Sequence, residues 1–140
     1  SVWKHTQMMA EALAEGMGRN GICVKIFKCS MTSPAIIQKE LLDAKAVLVG
    51  SGNYNNAMAG SIAAFLEKLI TCKVKNKKGL GFGSYGWANL VTKEINARLG
   101  KAGITLLNDE VVSQNYTPSE ADLDALMELG KQIAEEIKAM

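Results

Sequence analysis

Short apolar runs alternate with amphipathic helical patterns along this chain. Residues 22–28, 46–50 and 79–84, and the run that starts at residue 104, predict strands. The helical patterns carry their apolar stripes on Met9, Leu13 and Met17; on Ile36, Ile37 and Leu41; on Ile62, Phe65, Leu66, Leu69 and Ile70; on Val91, Ile95 and Leu99; and on Leu123, Met127, Ile133 and Ile137. Strands that alternate with helices are typical of βαβ units, so the sequence predicts an α/β fold with a doubly wound parallel sheet.

Length and charge set limits on the partners. The 140 residues form one domain over 1–140, and 16 basic against 14 acidic residues give a net charge of +2. That balance argues against nucleic acid or a membrane surface as the main partner, and no apolar run is long enough to span a membrane. The N-terminus also lacks the apolar stretch of a signal peptide. We therefore expect a cytoplasmic protein, for which a homo-oligomer remains open.

Cysteine and histidine are sparse. Cys23, Cys29 and Cys72 are odd in number and form no C-x-x-C pair, and His5 is the single histidine. This pattern predicts no disulfide framework and no metal site on this chain. No nucleophile–base pair, paired carboxylates or catalytic triad is evident, so we predict no catalytic residues.

Aromatic residues with polar tips follow the predicted strands. Tyr54 follows the strand at 46–50, and Tyr85 and Trp87 follow the strand at 79–84. Tyr116 and Trp3 occupy equivalent places, after the last strand and before the first helix. Ligands of doubly wound sheets bind at the carboxyl ends of the strands, and planar rings bind planar rings by stacking. The pattern favours a flat aromatic ligand over surface packing, which would explain any one of these residues alone.

Three segments supply further groups at this edge. Hydroxyls and free backbone N–H groups at a helix N-terminus suit a phosphate, whereas amide side chains suit the donors and acceptors of a heterocycle. The alternative for each segment is an ordinary polar turn. The predicted binding residues are Ser1, Trp3, Lys4, His5 and Thr6 in the first segment; Ser51, Gly52, Asn53, Tyr54, Asn55 and Asn56 in the second; and Ser84, Tyr85, Gly86 and Trp87 in the third.

The same three segments resemble the flavodoxin-like FMN domain of the flavodiiron proteins (A-type flavoproteins). The first, SVWKHT, is similar to the family's S-x-W-x-S-T, and the second, GSGNYNN, is similar to G-S-P-T-x-N-N. The third, FGSYGWAN, is similar to F-G-S-Y-G-W-S-G and is the most specific of the three. The KELLDAKAVLVGS stretch and the closing helix also look familial, so the resemblance covers essentially the whole chain.

The resemblance implies a flavodoxin-like fold with strand order 2-1-3-4-5. It implies FMN bound noncovalently, with its phosphate on the first segment and its ring between the second and third. It also implies electron transfer through the flavin to a redox partner protein or to a diiron centre that reduces O2 or NO. That centre would lie in a separate domain and not on this chain. Whether the chain is by itself an enzyme is left open.

The largest departure from the family is the absence of a first strand, because the pattern opens on a helix. In the order 2-1-3-4-5 that strand would be central, between the strands at 22–28 and 46–50. We therefore expect an N-terminally truncated domain of a longer protein, or a slot that rearrangement or another chain fills. His5 in place of a hydroxyl, and Gly52-Asn53 in place of Pro-Thr, are smaller departures that bear on flavin affinity and potential.

Other interpretations remain. A stand-alone NAD(P)H-dependent FMN reductase and a flavin-less interaction module share this fold. A G-x-G-x-x-G pattern at Gly81, Gly83 and Gly86 is a weak dinucleotide signal because it falls within a predicted strand, and Ser51 stands where a phospho-receiver needs aspartate.

Two helix starts are also predicted: Ser33-Pro34 as N-cap and first residue, and a capping box over Thr117-Pro118-Ser119-Glu120. The connector lysines Lys73, Lys75, Lys77 and Lys78 are interpreted as a solvated loop, with a docking patch for an acidic partner as the alternative.

Overall fold

Helices and strands alternate in the computed structural model as the sequence predicts. The structure describes residues 2–54, 57–85, 89–107, 112–115 and 117–140. Within them the helices are α1 (Val2–Arg19), α2 (Pro34–Asp43), α3 (Gly60–Cys72), α4 (Leu90–Lys101) and α5 (Glu120–Lys138), and the strands are β1 (Ala46–Gly50), β2 (Lys78–Tyr85), β3 (Thr105–Leu106) and β4 (Val112–Asn115).

The sheet is parallel and is organised around β2. On one side β2 pairs with β1, with Ala46 beside Lys78 and Gly50 beside Phe82. On its other side it pairs first with β3 and then with β4, where Tyr85 lies beside Asn115. β3 and β4 thus occupy one strand position in succession. The predicted α/β parallel fold is confirmed, and these three positions follow the expected order.

The alternation of residues along β2 decides how the helices pack. Leu80 and Phe82 are buried on one face of the strand, in the core that α1 and α5 cover. The other face carries glycines, and a methyl group on Gly81 would fall within 3 Å of the side chains of Ile95 and Asn96 on α4. The Asn96 Oδ1 atom also accepts a hydrogen bond of 2.8 Å from the backbone N–H of Gly81. The GLGFG sequence therefore presents large side chains to one layer and admits α4 closely on the other.

Each face of the sheet has its own hydrophobic core. Beside Leu80 and Phe82, the first core contains Met9, Leu13, Val112, Leu126 and Ile133 from α1, β4 and α5. The second contains Val49, Leu66, Leu69, Ile95, Leu99 and Ile104, chiefly from β1, α3 and α4. Helices on both faces of a parallel sheet are the doubly wound arrangement that the sequence predicts.

The predicted strand at 22–28 is wrong. These residues connect α1 to α2 without strand structure, although Ile22 and Val24 still pack against the first core. A strand is stable only when its backbone groups pair with a neighbour. Among the described elements β1 pairs with β2 alone, so no strand lies beside residues 22–28 to form a ladder with them.

The two predicted helix starts differ in outcome. Ser33 is the N-cap of α2 with Pro34 at the first helical position, as predicted, although its hydroxyl makes no cap hydrogen bond. The predicted capping box over Thr117–Glu120 is wrong by two residues. Ser119 is the N-cap of α5, its hydroxyl accepts from the Asp122 N–H at 3.1 Å, and the Asp122 carboxylate accepts from the Ser119 N–H at 2.8 Å. Asp122 replaces the usual glutamate at N3 because a shorter carboxylate also reaches the cap N–H.

The capping box makes the stability of α5 depend on pH. Hydrogen bonds from the Ser119 backbone and side chain lower the pKa of Asp122 below its ordinary value. A lowered native pKa stabilises the fold above the unfolded pKa, and this contribution is lost as the pH falls through the native pKa. We therefore expect the Asp122→Asn variant to be less stable than wild type in urea at neutral pH, and expect the difference to close in acid. Asp124→Asn, on the same helix but outside the box, is the control; an Asp122→Asn difference that persisted in acid would contradict the account.

Candidate functional site

The carboxyl ends of the strands meet at one edge of the sheet. Because all paired strands are parallel, Gly50, Tyr85 and Asn115 end β1, β2 and β4 at the same side. The three predicted binding segments follow or face these ends. The edge is therefore where doubly wound sheets place their ligands.

The first segment differs in conformation from the prediction. Val2 to Thr6 lie inside α1 and not in a loop that precedes it, whereas Ser1 lies outside the described residues. Helical backbone gives the N–H groups of the second turn carbonyl partners that an open loop would leave to solvent. Lys4 is exposed, and nothing is described of the Trp3 side chain. Within the described residues α1 therefore begins at Val2, so the first predicted segment forms its first turns.

Two side-chain contacts connect α1 to residues at the ends of other elements. The buried hydroxyls of Thr6 and Ser84 lie 3.3 Å apart, which joins residues 78 positions apart in the chain. The His5 Nε2 atom lies 3.1 Å from the Thr117 hydroxyl, just after the last strand. The first and third predicted segments thus meet, and His5 is held by a residue that sequence reasoning assigned to a helix cap. Sequence reasoning could have found Thr117 as a site residue from its position between the last strand and α5.

The second segment is fixed against the end of β2. The Ser51 N–H donates to the carbonyl of Phe82 at 3.2 Å, which continues the β1–β2 ladder by one residue. The buried Ser51 hydroxyl donates to the Gly52 carbonyl at 2.8 Å and accepts from the Ala59 N–H at 3.0 Å. A single side chain therefore spans the base of the loop, a role that the sequence did not indicate for Ser51.

Gly83 makes this contact possible. A methyl group on Gly83 would overlap the carbonyl oxygen of Ser51 and lie 3.1 Å from the Thr92 hydroxyl. The backbones of the second and third segments therefore touch where an alanine would separate them. Gly81 and Gly83 both lie inside β2, packed against α4 or the Ser51 loop, which explains them without a dinucleotide fingerprint. Gly86, the third glycine of that pattern, lies outside the described residues.

The tip of the second segment is more open. Asn53 is half-buried, and Tyr54 is 42% exposed, with its backbone pairing to Ala57 through bonds of 2.8 and 3.1 Å. Asn55 and Asn56 lie outside the described residues, as do Trp87 and Tyr116, and nothing is described of the Tyr85 side chain. The proposed grouping of aromatic residues at this edge therefore stays a prediction for every member except Tyr54. Tyr54 is exposed at the expected edge of the sheet.

The chemistry of the remaining groups is modest. The three cysteines are free; burial raises the pKa of the Cys29 thiol, and Cys23 and Cys72 are exposed. In the described part of the chain, no three His, Cys, Asp or Glu side chains gather as a metal site would require, and no helix is both long and apolar enough to cross a membrane.

The connector lysines differ in their contacts. Lys77 donates to the Ala44 carbonyl and Lys78 pairs with Glu136 at 3.2 Å, while Lys73 and Lys75 are exposed.

Known proteins are similar to this chain in both sequence and fold. A family model described as Flavodoxin matches residues 1–130. A nitric oxide reductase of Moorella thermoacetica is 39% identical over 98% of this chain and 34% of its own length. The solved rubredoxin oxygen:oxidoreductase of Desulfovibrio gigas superimposes with a TM-score of 0.91 at 32% identity, over 99% of this chain and 34% of that one. A flavodoxin from the domain Archaea gives a TM-score of 0.87 at 29% identity, over 99% of this chain and 94% of its own.

The chain therefore spans about one third of the length of the curated relatives that it matches. The predicted resemblance to the flavodoxin-like part of flavodiiron proteins is confirmed, and FMN is the cofactor of these proteins. The described residues fit that cofactor, because the buried Thr6 and Ser84 hydroxyls lie near the first turns of α1, and the backbone of Ser51, which begins the second segment, contacts Gly83 beside Ser84. The family model covers residues 1–130 and the solved relatives share the fold, so the chain belongs to the flavodoxin family.

Proposed function

We propose that this chain binds FMN at the carboxyl edge of the sheet and passes electrons through it to a redox partner. The observation that carries the proposal is the contact between the buried hydroxyls of Thr6 and Ser84, 3.3 Å apart. That contact brings the first and third segments together, and the Ser51 N–H bond to Phe82 adds the second. Three segments far apart in sequence thus share one edge, and their groups suit a phosphate and a heterocycle.

The first and second segments have separate tasks in this proposal. The N–H groups at the start of α1 and the Thr6 hydroxyl hold the phosphate, where the helix dipole adds favourable charge. Backbone and amide groups of Gly52 and Asn53 meet the polar edge of the ring, and Tyr54 covers one of its faces. Bound FMN supplies the redox chemistry, since it accepts and releases electrons at a potential that these contacts adjust.

The proposed electron acceptor is a diiron centre in another domain or in a partner protein. The matched relatives are about three times as long as the aligned region and include a protein named nitric oxide reductase and one named rubredoxin-oxygen oxidoreductase. A carrier domain that feeds such a centre accounts for a flavodoxin-like part within longer chains. Reduction of O2 or NO would then belong to the acceptor, and this chain would supply the electrons.

The Thr6 hydroxyl is the most direct test of the phosphate contact. We expect Thr6→Val to weaken FMN binding by about tenfold to a hundredfold, because a hydrogen bond to a charged group contributes roughly 1.5–3 kcal/mol. Thr6→Ser keeps the hydroxyl and should bind FMN nearly as wild type does. Isothermal titration of both variants with FMN and with riboflavin, which lacks the phosphate, measures the effect. Equal losses for the two ligands in Thr6→Val would show that Thr6 does not meet the phosphate.

The carrier is distinguished from its two rivals by spectroscopy. A carrier keeps its visible flavin absorbance when NADH or NADPH is added alone, and loses that absorbance when a reduced electron donor protein is present. Bleaching by NAD(P)H alone would identify the reductase. Failure of the folded protein to take up FMN would identify the flavin-less interaction module.

A further inference from the structure

The turn that ends α1 contains a chemically labile pair of residues. Asn20-Gly21 is the only Asn-Gly pair in the sequence, and it directly follows Arg19, the last residue of α1. Asparagine is among the thermolabile side chains, and a following glycine lacks the Cβ that would keep the next backbone nitrogen away from the asparagine amide carbon. Gly21 is exposed and has a φ of +88°. The sequence of this turn therefore favours deamidation of Asn20, and the turn is open to water.

The α5 helix holds the Asn20 side chain at three points. The Asn20 Nδ2 group donates to the Lys131 carbonyl at 3.0 Å and to the Glu135 Oε1 atom at 2.6 Å. The Lys138 Nζ atom donates to the Asn20 Oδ1 atom at 3.3 Å. The side chain thus uses both of its amide hydrogens and one of its acceptor sites. Contacts from residues more than 110 positions away in the chain therefore fix the amide.

Deamidation of Asn20 would require these bonds to break. In that reaction the backbone nitrogen of Gly21 bonds to the Asn20 Cγ atom and passes its proton through solvent to the amide nitrogen, which leaves as ammonia. Water then opens the cyclic imide to aspartate or isoaspartate. In the fold the Gly21 N–H donates to the Gly18 carbonyl at 3.2 Å, which also restrains the attacking nitrogen. Both reacting groups are therefore held apart while α1 and α5 stay packed.

We propose that Asn20 is a modification site guarded by α5: the packed helices preserve the amide, and their separation exposes it to deamidation, whose product stops them from closing as before. A carboxylate at position 20 has no hydrogen to donate, so it would face the Lys131 carbonyl and the Glu135 carboxylate without a bond to either. Hydrogen bonds from Lys138 and Asn20 lower the pKa of Glu135, so its carboxylate is charged at neutral pH and repels a second one. The modification thus marks molecules in which the two helices have opened.

The experiment follows the mass of the proteolytic peptide that contains residues 20–21, after the purified protein has stood in neutral buffer at physiological temperature. It requires no flavin, so its outcome is independent of the proposed function. In urea, which unfolds the helices, we expect Asn20 to deamidate before the other asparagines of the chain. In the folded protein we expect the reaction to be at least ~tenfold slower, because it waits for local opening. Equal rates in the folded and unfolded protein would overturn the proposal.

Two variants of α5 separate the guarding contacts from general effects on the helix. Glu135→Ala removes the shortest bond to the Asn20 amide together with the Glu135–Lys138 ion pair. Lys131→Ala removes a similar ion pair, with Glu128, but keeps the backbone carbonyl that accepts from Asn20. We expect Glu135→Ala to accelerate deamidation of the folded protein about threefold and Lys131→Ala to leave its rate unchanged. Equal rates in the two variants would contradict a guarding role for α5.

A further pair of variants tests the effect of the product. Asn20→Asp reproduces the aspartate form, and Asn76→Asp makes the same exchange at an exposed asparagine whose side chain has no partner in the described part of the chain. We expect Asn20→Asp to lower the melting temperature by about 4 °C, because two acceptors on α5 lose their donor, and Asn76→Asp not to lower it. An Asn20→Asp protein that melts as wild type does would show that deamidation leaves the helix pair intact, against the proposal.

Discussion

Replacing Gly83 with alanine is expected to weaken FMN binding by about a hundredfold, or roughly 2.7 kcal/mol. The added methyl group would overlap the carbonyl oxygen of Ser51, which belongs to the backbone and not to a flexible side chain. The Ser51 loop must then move away from β2, and the second and third binding segments would separate. A displacement of this kind misplaces every group that the loop presents to the ligand. Titration with FMN, followed by flavin fluorescence, measures the loss.

Gly60→Ala is the matched control for Gly83→Ala. Gly60 begins α3 just after the same loop, and a methyl group there meets no atom within 4 Å. We expect Gly60→Ala to bind FMN as wild type does. Thermal unfolding of both variants shows that they are folded at the temperature of the titration. Gly83→Ala protein that is folded and binds FMN with wild-type affinity would contradict the proposed role of the Ser51 loop.

Replacing Gly16 with alanine should produce the largest loss of stability. α1 and α5 pack closely at Gly16 and Gly130, and a methyl group on Gly16 would overlap the carbonyl oxygen of Met127. Because that atom is part of the α5 backbone, the two helices must move apart and loosen the core around Leu13 and Ile133. We expect the free energy of unfolding to fall by about 3 kcal/mol and the melting temperature by ~10 °C, as measured by urea and thermal denaturation.

Gly18→Ala provides the control two residues further along the same helix. A methyl group on Gly18 meets nothing within 4 Å, so the substitution removes only the conformational freedom of glycine in the unfolded chain. We expect it to stabilise the protein by roughly 0.5–1 kcal/mol. If the free energy of unfolding falls for Gly16→Ala and rises for Gly18→Ala, the loss at Gly16 is due to close packing and not to helix propensity, because the two substitutions are identical and lie on one helix. A Gly16→Ala variant as stable as Gly18→Ala would show that α1 and α5 do not pack as described.

The parts of the fold that the sequence predicted are those in which local pattern and tertiary packing agree. The apolar spacing of Leu66 and Leu69, and of Ile95 and Leu99, predicted helices whose stripes are buried. The small residues of β2 predicted a strand. The reason for its glycines is shown only by the structure, in which α4 packs closely against that face of the strand. Local pattern was sufficient here because each element has a neighbour to pack against.

Two of the three errors arise where a neighbouring part of the fold decides the outcome. Residues 22–28 alternate as a strand does, but strand structure needs a ladder partner, and the described residues provide none beside them. Val2–Thr6 were expected in a loop, yet helical hydrogen bonds extend through them. The capping box lies at Ser119 and not at Thr117, whose hydroxyl instead lies 3.1 Å from His5 across 112 residues. Such long-range contacts leave no trace in local periodicity.

For the candidate site, the structure agrees with the predicted position of three residues, whereas their binding role stays a prediction. The sequence placed Thr6, Ser51 and Ser84 at one edge, and all three are buried there in mutual or neighbouring contact. It did not indicate that the Ser51 hydroxyl would brace its own loop, or that Gly83 would set the distance between two segments. Those roles depend on distances between strands, which a sequence pattern does not encode.

Titration of the purified, folded chain with FMN tests the central claim most directly, with tryptophan emission as the readout. Trp3 and Trp87 belong to two of the three segments that are proposed to surround the cofactor. The account predicts saturable quenching of their emission at one FMN per chain, because a bound flavin lies close to both segments. Tryptophan emission that stays unchanged throughout the titration, in protein that circular dichroism shows to be folded, would contradict it.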